Sequence, residues 1–225
     1  MISIKKKYKL NYIFNLIFKE YFKKKLNFEW NKYSNRFDII NKIIQEKKYK
    51  KYLEIGCYKD ENFEKINIAK KIGVDPVSGG TIRATSDEFF NNNTENFDIV
   101  FIDGLHHYDQ VKKDIKNSIN TLNEKGVIIL HDCLPSKNRD QMIPRSHLHW
   151  NGDVWKAIVE MRTKEYVDVY TCLADQGLGI IFKRKNKNKL DIKVKNFKKL
   201  RFKDYYYNYS KFMNIISEED LFKIF

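Results

Sequence analysis

Apolar residues along the middle of this chain fall into short runs, each stopped by glycine or by an acid. Tyr52-Leu53-Glu54-Ile55 ends at Gly56, Ile72-Gly73-Val74 at Asp75-Pro76, Phe97 to Ile102 at Asp103, and Val127 to Leu130 at His131-Asp132. Runs of this length with little polar alternation read as strands covered on both faces. The stretches between them keep a helical period: Val111, Ile115, Ile119 and Leu122 make one stripe over about 108–122, and another helix is expected around 61–71. A weaker strand is expected near 82–85, with Ser86 or Asp87 capping a helical turn that carries Phe89 and Phe90. Pro135 and Pro144 interrupt a long polar loop over 133–152, after which Asp153 reads as the N-cap of a helix bearing Val154, Ile158 and Met161. Tyr166 to Tyr170 and Leu178 to Phe182 then read as closing strands that turn antiparallel. Strand and helix in alternation predict an α/β, doubly wound, mainly parallel seven-stranded sheet, because each parallel strand needs a crossover.

A chain of 225 residues suits one well-buried domain with decorated ends. The predicted division is a basic helical N-terminal extension over 1–51, a core over 52–182 and a basic, aromatic C-terminal extension over 183–225. The formal charge of +14 sits in the flanks: 15 Lys/Arg against 4 acids in 1–51, and 13 against 5 in 183–225, while the core is acidic. Such flanks attract phosphate-bearing partners, nucleic acid or an anionic surface. In the first of them Leu10, Ile13, Phe14, Ile17 and Tyr21 share a helical face opposite lysines. That face is expected to dock on the protein's own core or on a second subunit, making a homo-oligomer, with peripheral membrane contact as the alternative. No apolar run is long enough to span a bilayer, and Cys57, Cys133 and Cys172 lack C-x-x-C spacing, which suits buried thiols in a reducing cytoplasm.

Ligands of an open α/β sheet gather outside the carboxyl ends of its strands, so Asp103, His131 and Asp132 are expected to converge despite their separation in sequence. Gly56 permits close approach of backbone to a ligand, Asp75 can accept from a ribose diol, and Glu54 is an acid among strand residues that needs a ligand or a donor. A full G-x-G-x-x-G is absent, which argues against a dinucleotide. In the polar loop, Trp150 offers a face for a sugar ring, His147 and His149 offer polar contacts, and Arg139 and Arg145 offer forked donors for phosphate or carboxylate.

The ordered blocks YLEIGCYKD (52–60), KKIGVDP (70–76), ATSDEFF (84–90), FDIVFIDGLHHYDQVKKDI (97–115) and EKGVIILHDCLP (124–135) together resemble the class I S-adenosylmethionine-dependent methyltransferases. Within that class they are most similar to the metal-linked branch that O-methylates small molecules and sugars. The resemblance implies the Rossmann-like class I fold and S-adenosyl-L-methionine as cofactor. It places Glu54 and Gly56 at the methionine and ribose end, Asp75 on the ribose hydroxyls, and Ser86 or Asp87 near adenine. It also implies a divalent cation, Mg or Mn, on Asp103, His131 and Asp132, with His131 departing from the usual oxygen ligand and widening the choice toward transition metals. The chain departs from the family pattern in the first turn, where Tyr58 and Asp60 replace later glycines.

His106 follows Asp103 by three residues, where related enzymes carry a His or Lys base, and a neutral imidazole can take a hydroxyl proton. His106 and Asp103 are therefore the expected catalytic pair. The expected activity is O-methylation of a small polar acceptor, a sugar or phosphorylated sugar of polysaccharide biosynthesis. Two other readings stay open: an RNA methyltransferase, suggested by the basic flanks but lacking an RNA-binding module, and a non-enzymatic cofactor- or metabolite-binding protein.

Overall fold

The computed structural model describes residues 8–225, so the lysines at 5, 6 and 7 lie outside the described residues. Seven strands, β1 (Lys51–Ile55), β2 (Lys70–Val74), β3 (Phe97–Ile102), β4 (Leu122–Leu130), β5 (Asp168–Cys172), β6 (Leu178–Phe182) and β7 (Ile215–Ile216), form one sheet in the order β2-β1-β3-β4-β6-β5-β7. Pairing is parallel from β2 through β4, antiparallel on both sides of β6, and parallel again between β5 and β7. This is the predicted doubly wound, mainly parallel sheet. Because side chains alternate along a strand, the apolar runs feed two cores. Leu53, Ile55, Val100, Ile102, Ile128 and Leu130 face one side, while Tyr52, Ile99, Phe101, Val127 and Ile129 face the other.

The described α-helices are α1 (Lys9–Phe18), α2 (Arg36–Lys47), α3 (Ser86–Asn92), α4 (Tyr108–Thr121), α5 (Asn138–Gln141), α6 (Val154–Met161), α7 (Phe202–Met213) and α8 (Glu218–Ile224). Helix α2 buries Ile39, Ile40, Ile43 and Ile44 on one face of the sheet, and α4, α6 and α7 cover the other with Ile115, Trp155, Ile158, Phe202 and Tyr205. Both extensions thus supply helices to the core, and β7 comes from the C-terminal one.

Several local expectations are corrected. Residues 82–85 make only an isolated bridge, Val74 with Ile82, because the Thr81 and Ile82 N–H groups both donate to Gly73 O and Arg83 turns back to Asp75 O; the seventh strand is β7 instead. Residues 61–71 hold one 3-10 turn, Phe63–Lys65, rather than a helix, since the Asn41 side chain takes the Lys65 carbonyl and the Asn67 N–H and keeps the segment extended. Neither Ser86 nor Asp87 caps α3. Thr85 does, in a reciprocal pair with Glu88. Asp153 does stand at the N-cap position of α6, but without a side-chain cap bond there; its carboxylate accepts from the Tyr108 N–H and so closes the N-terminus of α4. The first closing strand begins at Asp168 rather than Tyr166. The apolar face of α1 does not dock on the core: Leu10 is 81% and Ile17 70% exposed.

Candidate active site

Order in the sheet reverses between β1 and β3, and in open α/β sheets such a switch point is where ligands bind outside the carboxyl ends of the strands. Backbone pairing continues past those ends, with Asp103 N–H on Ile55 O, His131 N–H on Ile102 O and Gly56 N–H on Val74 O, so the loop residues that follow are held by the sheet. Gly56 sits at φ +92°, and a Cβ there would lie 2.4 Å from Asp103 O. Only glycine allows the β1 and β3 loops to meet this closely.

Consecutive residues of an extended strand point to opposite faces, which would separate His131 from Asp132. Asp132 instead takes φ 60°, a left-handed conformation that Asp tolerates, and the turn brings both side chains to Asp103. Asp103, His131 and Asp132 each offer a ligand atom within 4.8 Å of the others'. His131 Nδ1 is 3.3 Å from Asp103 Oδ1 and 3.5 Å from Asp132 Oδ2. His106 joins them, with Nε2 3.1 Å from Asp103 Oδ1 and Nδ1 3.3 Å from Asp132 Oδ2. Its ring stacks on Trp150 at 5.4 Å between centroids, inclined by 15°.

Burial opposes ionisation of Asp103, but the His131 charge and the hydrogen bonds of His106 and His131 outweigh it and hold the carboxyl well below the usual range. For His131, burial works against protonation and the charges of Asp132 and Asp103 overcome it, raising its pKa well above the ordinary value. His106 is raised against burial in the same way, by the Asp103 hydrogen bond and by Asp132. Two carboxylates therefore favour the protonated form of both imidazoles. The charge these carboxylates place on imidazolium is the charge a cation would take.

Three residues that the sequence reading did not single out complete the cluster. Asp175, in the β5–β6 turn, lies 3.4 Å through Oδ1 from His131 Nε2, a buried atom with no hydrogen-bond partner. Arg36, at the start of α2, grips Asp175 with its backbone N–H at 3.0 Å and its guanidinium at 2.9 Å. Asn151 donates to Asp132 Oδ1 at 2.7 Å. A ring whose far nitrogen faces a carboxylate 3.4 Å away, with the near one turned to two acids, resembles the arrangement of an oriented metal-ligating histidine. The donor set of two carboxylates and an imidazole fits a divalent transition metal such as Mn²⁺.

Glu54 is buried, accepting at Oε2 from Asn62 at 2.8 Å and from the Tyr52 hydroxyl. Burial pushes its carboxyl up to about 7 against those two hydrogen bonds. Asp75 closes the turn after β2, with Oδ2 accepting from Tyr58 N–H at 2.9 Å and Oδ1 from Val77 and Ser78 N–H at 2.8 and 2.9 Å. Ser86 and Asp87 start α3 and are tied to Gln110 of α4 at 3.1 and 2.9 Å.

The loop residues divide. Trp150 belongs to the cluster through its stack with His106, and its indole N–H donates to Met142 O at 2.8 Å. Arg145 spends its guanidinium on the carbonyls of His147 and Leu148, 5.5 Å over the Trp150 ring. His147 is engaged by Ser146 Oγ at 2.6 Å, His149 is exposed, and Arg139 pairs with Asp140 at 3.5 Å, outside the Asp103 cluster.

A family model described as a methyltransferase domain matches residues 46–133, which hold β1 to β4 and every residue of the Asp103, His106, His131 and Asp132 cluster. No curated protein matches the chain. Among solved structures it is similar to the S-adenosylhomocysteine-bound methyltransferase PaMTH1 of Podospora anserina, at 18% identity and TM-score 0.50 over 69% of this chain and 81% of that one. It is also similar to cofactor-bound Rv0187 from MTB, at 11% identity and TM-score 0.53 over 67% and 80%. A third likeness is to a candidate caffeoyl-CoA O-methyltransferase from Staphylococcus aureus, at 16% identity and TM-score 0.50 over 81% and 93%. At these identities the likeness is one of fold. Residues 46–133 are thus similar to a methyltransferase domain, and the sheet as a whole has the Rossmann-like fold of the class I methyltransferases.

Proposed function

We propose that the protein transfers the methyl group of S-adenosylmethionine to a hydroxyl of a small polar acceptor, a sugar or phosphorylated sugar used in glycan biosynthesis. The observation that carries the reading is the meeting of Asp103, His131 and Asp132 with His106 at the point where strand order reverses. S-adenosylmethionine supplies an electrophilic methyl on a sulfonium, and a divalent cation on Asp103, His131 and Asp132 would make an acceptor hydroxyl more acidic. Glu54, Gly56 and Asp75 form the cofactor edge, with Ser86 and Asp87 toward the adenine end.

His106 is the proposed base. Asp103 and Asp132 raise its pKa against burial, and balancing their charge would ease that bias and favour the neutral ring that can accept a proton. Its stack on Trp150 and the packing of Gly152 against the His106 backbone fix where the proton is received. Of the loop residues proposed for the acceptor, Trp150 is the one stacked on the base, and Arg139, Arg145, His147 and His149 are proposed from the same loop.

Incubating the protein with isotopically labelled S-adenosylmethionine and a metabolite extract, followed by mass spectrometry of labelled products, tests the assignment. Labelled sugar or sugar phosphate, lost in Asp103→Asn and suppressed by chelation, is expected. Label confined to RNA would replace it with the RNA reading, and cofactor binding without any labelled product would replace it with a binding protein. Full activity after metal removal would reject the cation.

A further inference from the structure

Helix α1 is turned inside out. Its two asparagines face the protein: Asn15 is buried and donates to Pro144 O at 3.1 Å and Ser146 Oγ at 2.7 Å, and Asn11 donates to Arg145 O at 2.9 Å. Its apolar residues face outward. Leu10, Ile13, Phe14, Leu16, Ile17 and Phe18 are 42–81% exposed, and Tyr21 just beyond the helix is 80% exposed. A soluble surface helix has the opposite arrangement, and a contiguous exposed apolar face of this kind marks an interaction site.

The chemistry around the face selects its occupant. Lys9 stands at one end and Lys19, Lys23, Lys24 and Lys25 at the other, and among the described residues none of these five pairs with an acid. The neighbouring acid, Glu20, is turned inward, where its carboxylate accepts from the backbone N–H groups of Phe202 and Lys203 at 3.0 and 3.2 Å. Beside the helix end, Lys19, Lys24, Lys25, Lys137 and Arg139 line a cleft of about 290 Å³ with aromatic walls. Two copies of so basic a rim would repel each other, whereas an anionic bilayer complements both the apolar face and the charge. No described helix is long and apolar enough to cross a membrane, so the contact is one of lying on the surface.

We propose that α1 is an interfacial anchor that seats the protein on an anionic phospholipid surface, with the apolar side chains in the acyl boundary and the lysine cleft on lipid phosphates. This places the active site next to the membrane, since α1 is bonded to the 144–146 segment of the loop that also carries Trp150.

Cosedimentation of the full chain with vesicles of phosphatidylglycerol and phosphatidylcholine, against phosphatidylcholine alone, tests it. Binding to the anionic vesicles at least 10-fold tighter than to neutral ones, weakened by salt, is expected. The double variant Leu10→Glu, Ile17→Glu should lose at least 10-fold in binding, and the charge reversal Lys24→Glu, Lys25→Glu should do the same with the apolar face intact. All four positions are exposed, so circular dichroism melting should match the wild type. Absence of binding to anionic vesicles at low salt would overturn the proposal. So would a wild-type dimer in sedimentation equilibrium that Leu10→Glu, Ile17→Glu converts to monomer while vesicle binding is unchanged.

Discussion

Replacing Glu54 by Gln probes the electrostatics of the cofactor edge. Glu54 is 1% exposed on the second residue from the end of β1, and burial moves its carboxyl from the ordinary 4.5 up to about 7 despite donors from Tyr52 and Asn62. Between those two values the folded chain binds more proton than the unfolded one. The stability this contributes is therefore fully present below about pH 4.5 and is lost as pH rises through about 7. The gap, 7 − 4.5, is about 2.5 units, which at about 1.36 kcal/mol per unit gives at most about 3 kcal/mol. Gln keeps an acceptor for Tyr52 and Asn62 and does not titrate. Urea unfolding followed by tryptophan fluorescence should show the wild type losing up to about 3 kcal/mol relative to Glu54→Gln between pH 4.5 and 8, with equal m-values. Parallel profiles would refute the raised carboxyl. A cationic cofactor bound beside Glu54 would pull the group back down, so binding at pH 7 should release about half a proton, read by calorimetry in buffers of different ionisation enthalpy. Zero release would remove Glu54 from the cofactor's neighbourhood.

Gly56→Ala should cost more than about 2 kcal/mol, because positive φ alone disfavours an L-residue by about 1–2 kcal/mol and the new Cβ would strike the Asp103 backbone; an unchanged melting temperature would show that the two loops separate freely. Asp175→Asn should weaken Mn²⁺ binding about 10–100-fold, the usual effect of losing a carboxylate behind a ligating histidine, measured as free Mn²⁺ by electron paramagnetic resonance. Wild-type affinity would mean that Asp175 does not orient His131.

What was legible in the sequence is what local pattern encodes. The parts of β1, β3, β4 and β6 that lie in the sheet interior read as apolar runs because they are buried on both faces, Val127 to Leu130 in β4 for example, and Asp103, His131 and Asp132 stand where the β3 and β4 runs stop. Asp175, Arg36 and Asn151 were not legible. Each reaches the cluster from a different element, and nothing in Arg36 or its neighbours sets it apart from the other 42 Lys/Arg of the chain. The two-residue β7 has no pattern of its own; it exists because the Asn214 carbonyl and Asn214 side chain meet the edge of β5. The outward face of α1 was misplaced for a related reason: periodicity identifies an amphipathic helix but not which side the protein covers, and two asparagines decided it.

The long loop over 133–152 is where local reading and three-dimensional consequence part furthest. Its prolines and polar residues suggested an irregular segment, yet Asn151 and Gly152 N–H both donate to Asp140 O, and Asp153 N–H donates to His106 O. A Cβ on Gly152 would lie 2.0 Å from that same His106 carbonyl, at a φ of +61° that glycine adopts without strain. The backbone of His106 is thus clamped between the end of β3 and the end of this loop, and its ring is laid on Trp150, two residues before Gly152. Asn151, between them, reaches Asp132. One short run, Trp150 to Asp153, therefore sets the ring plane of the proposed base, holds one of the proposed metal ligands and caps α4, so the loop is structural support for the site as much as a surface for the acceptor.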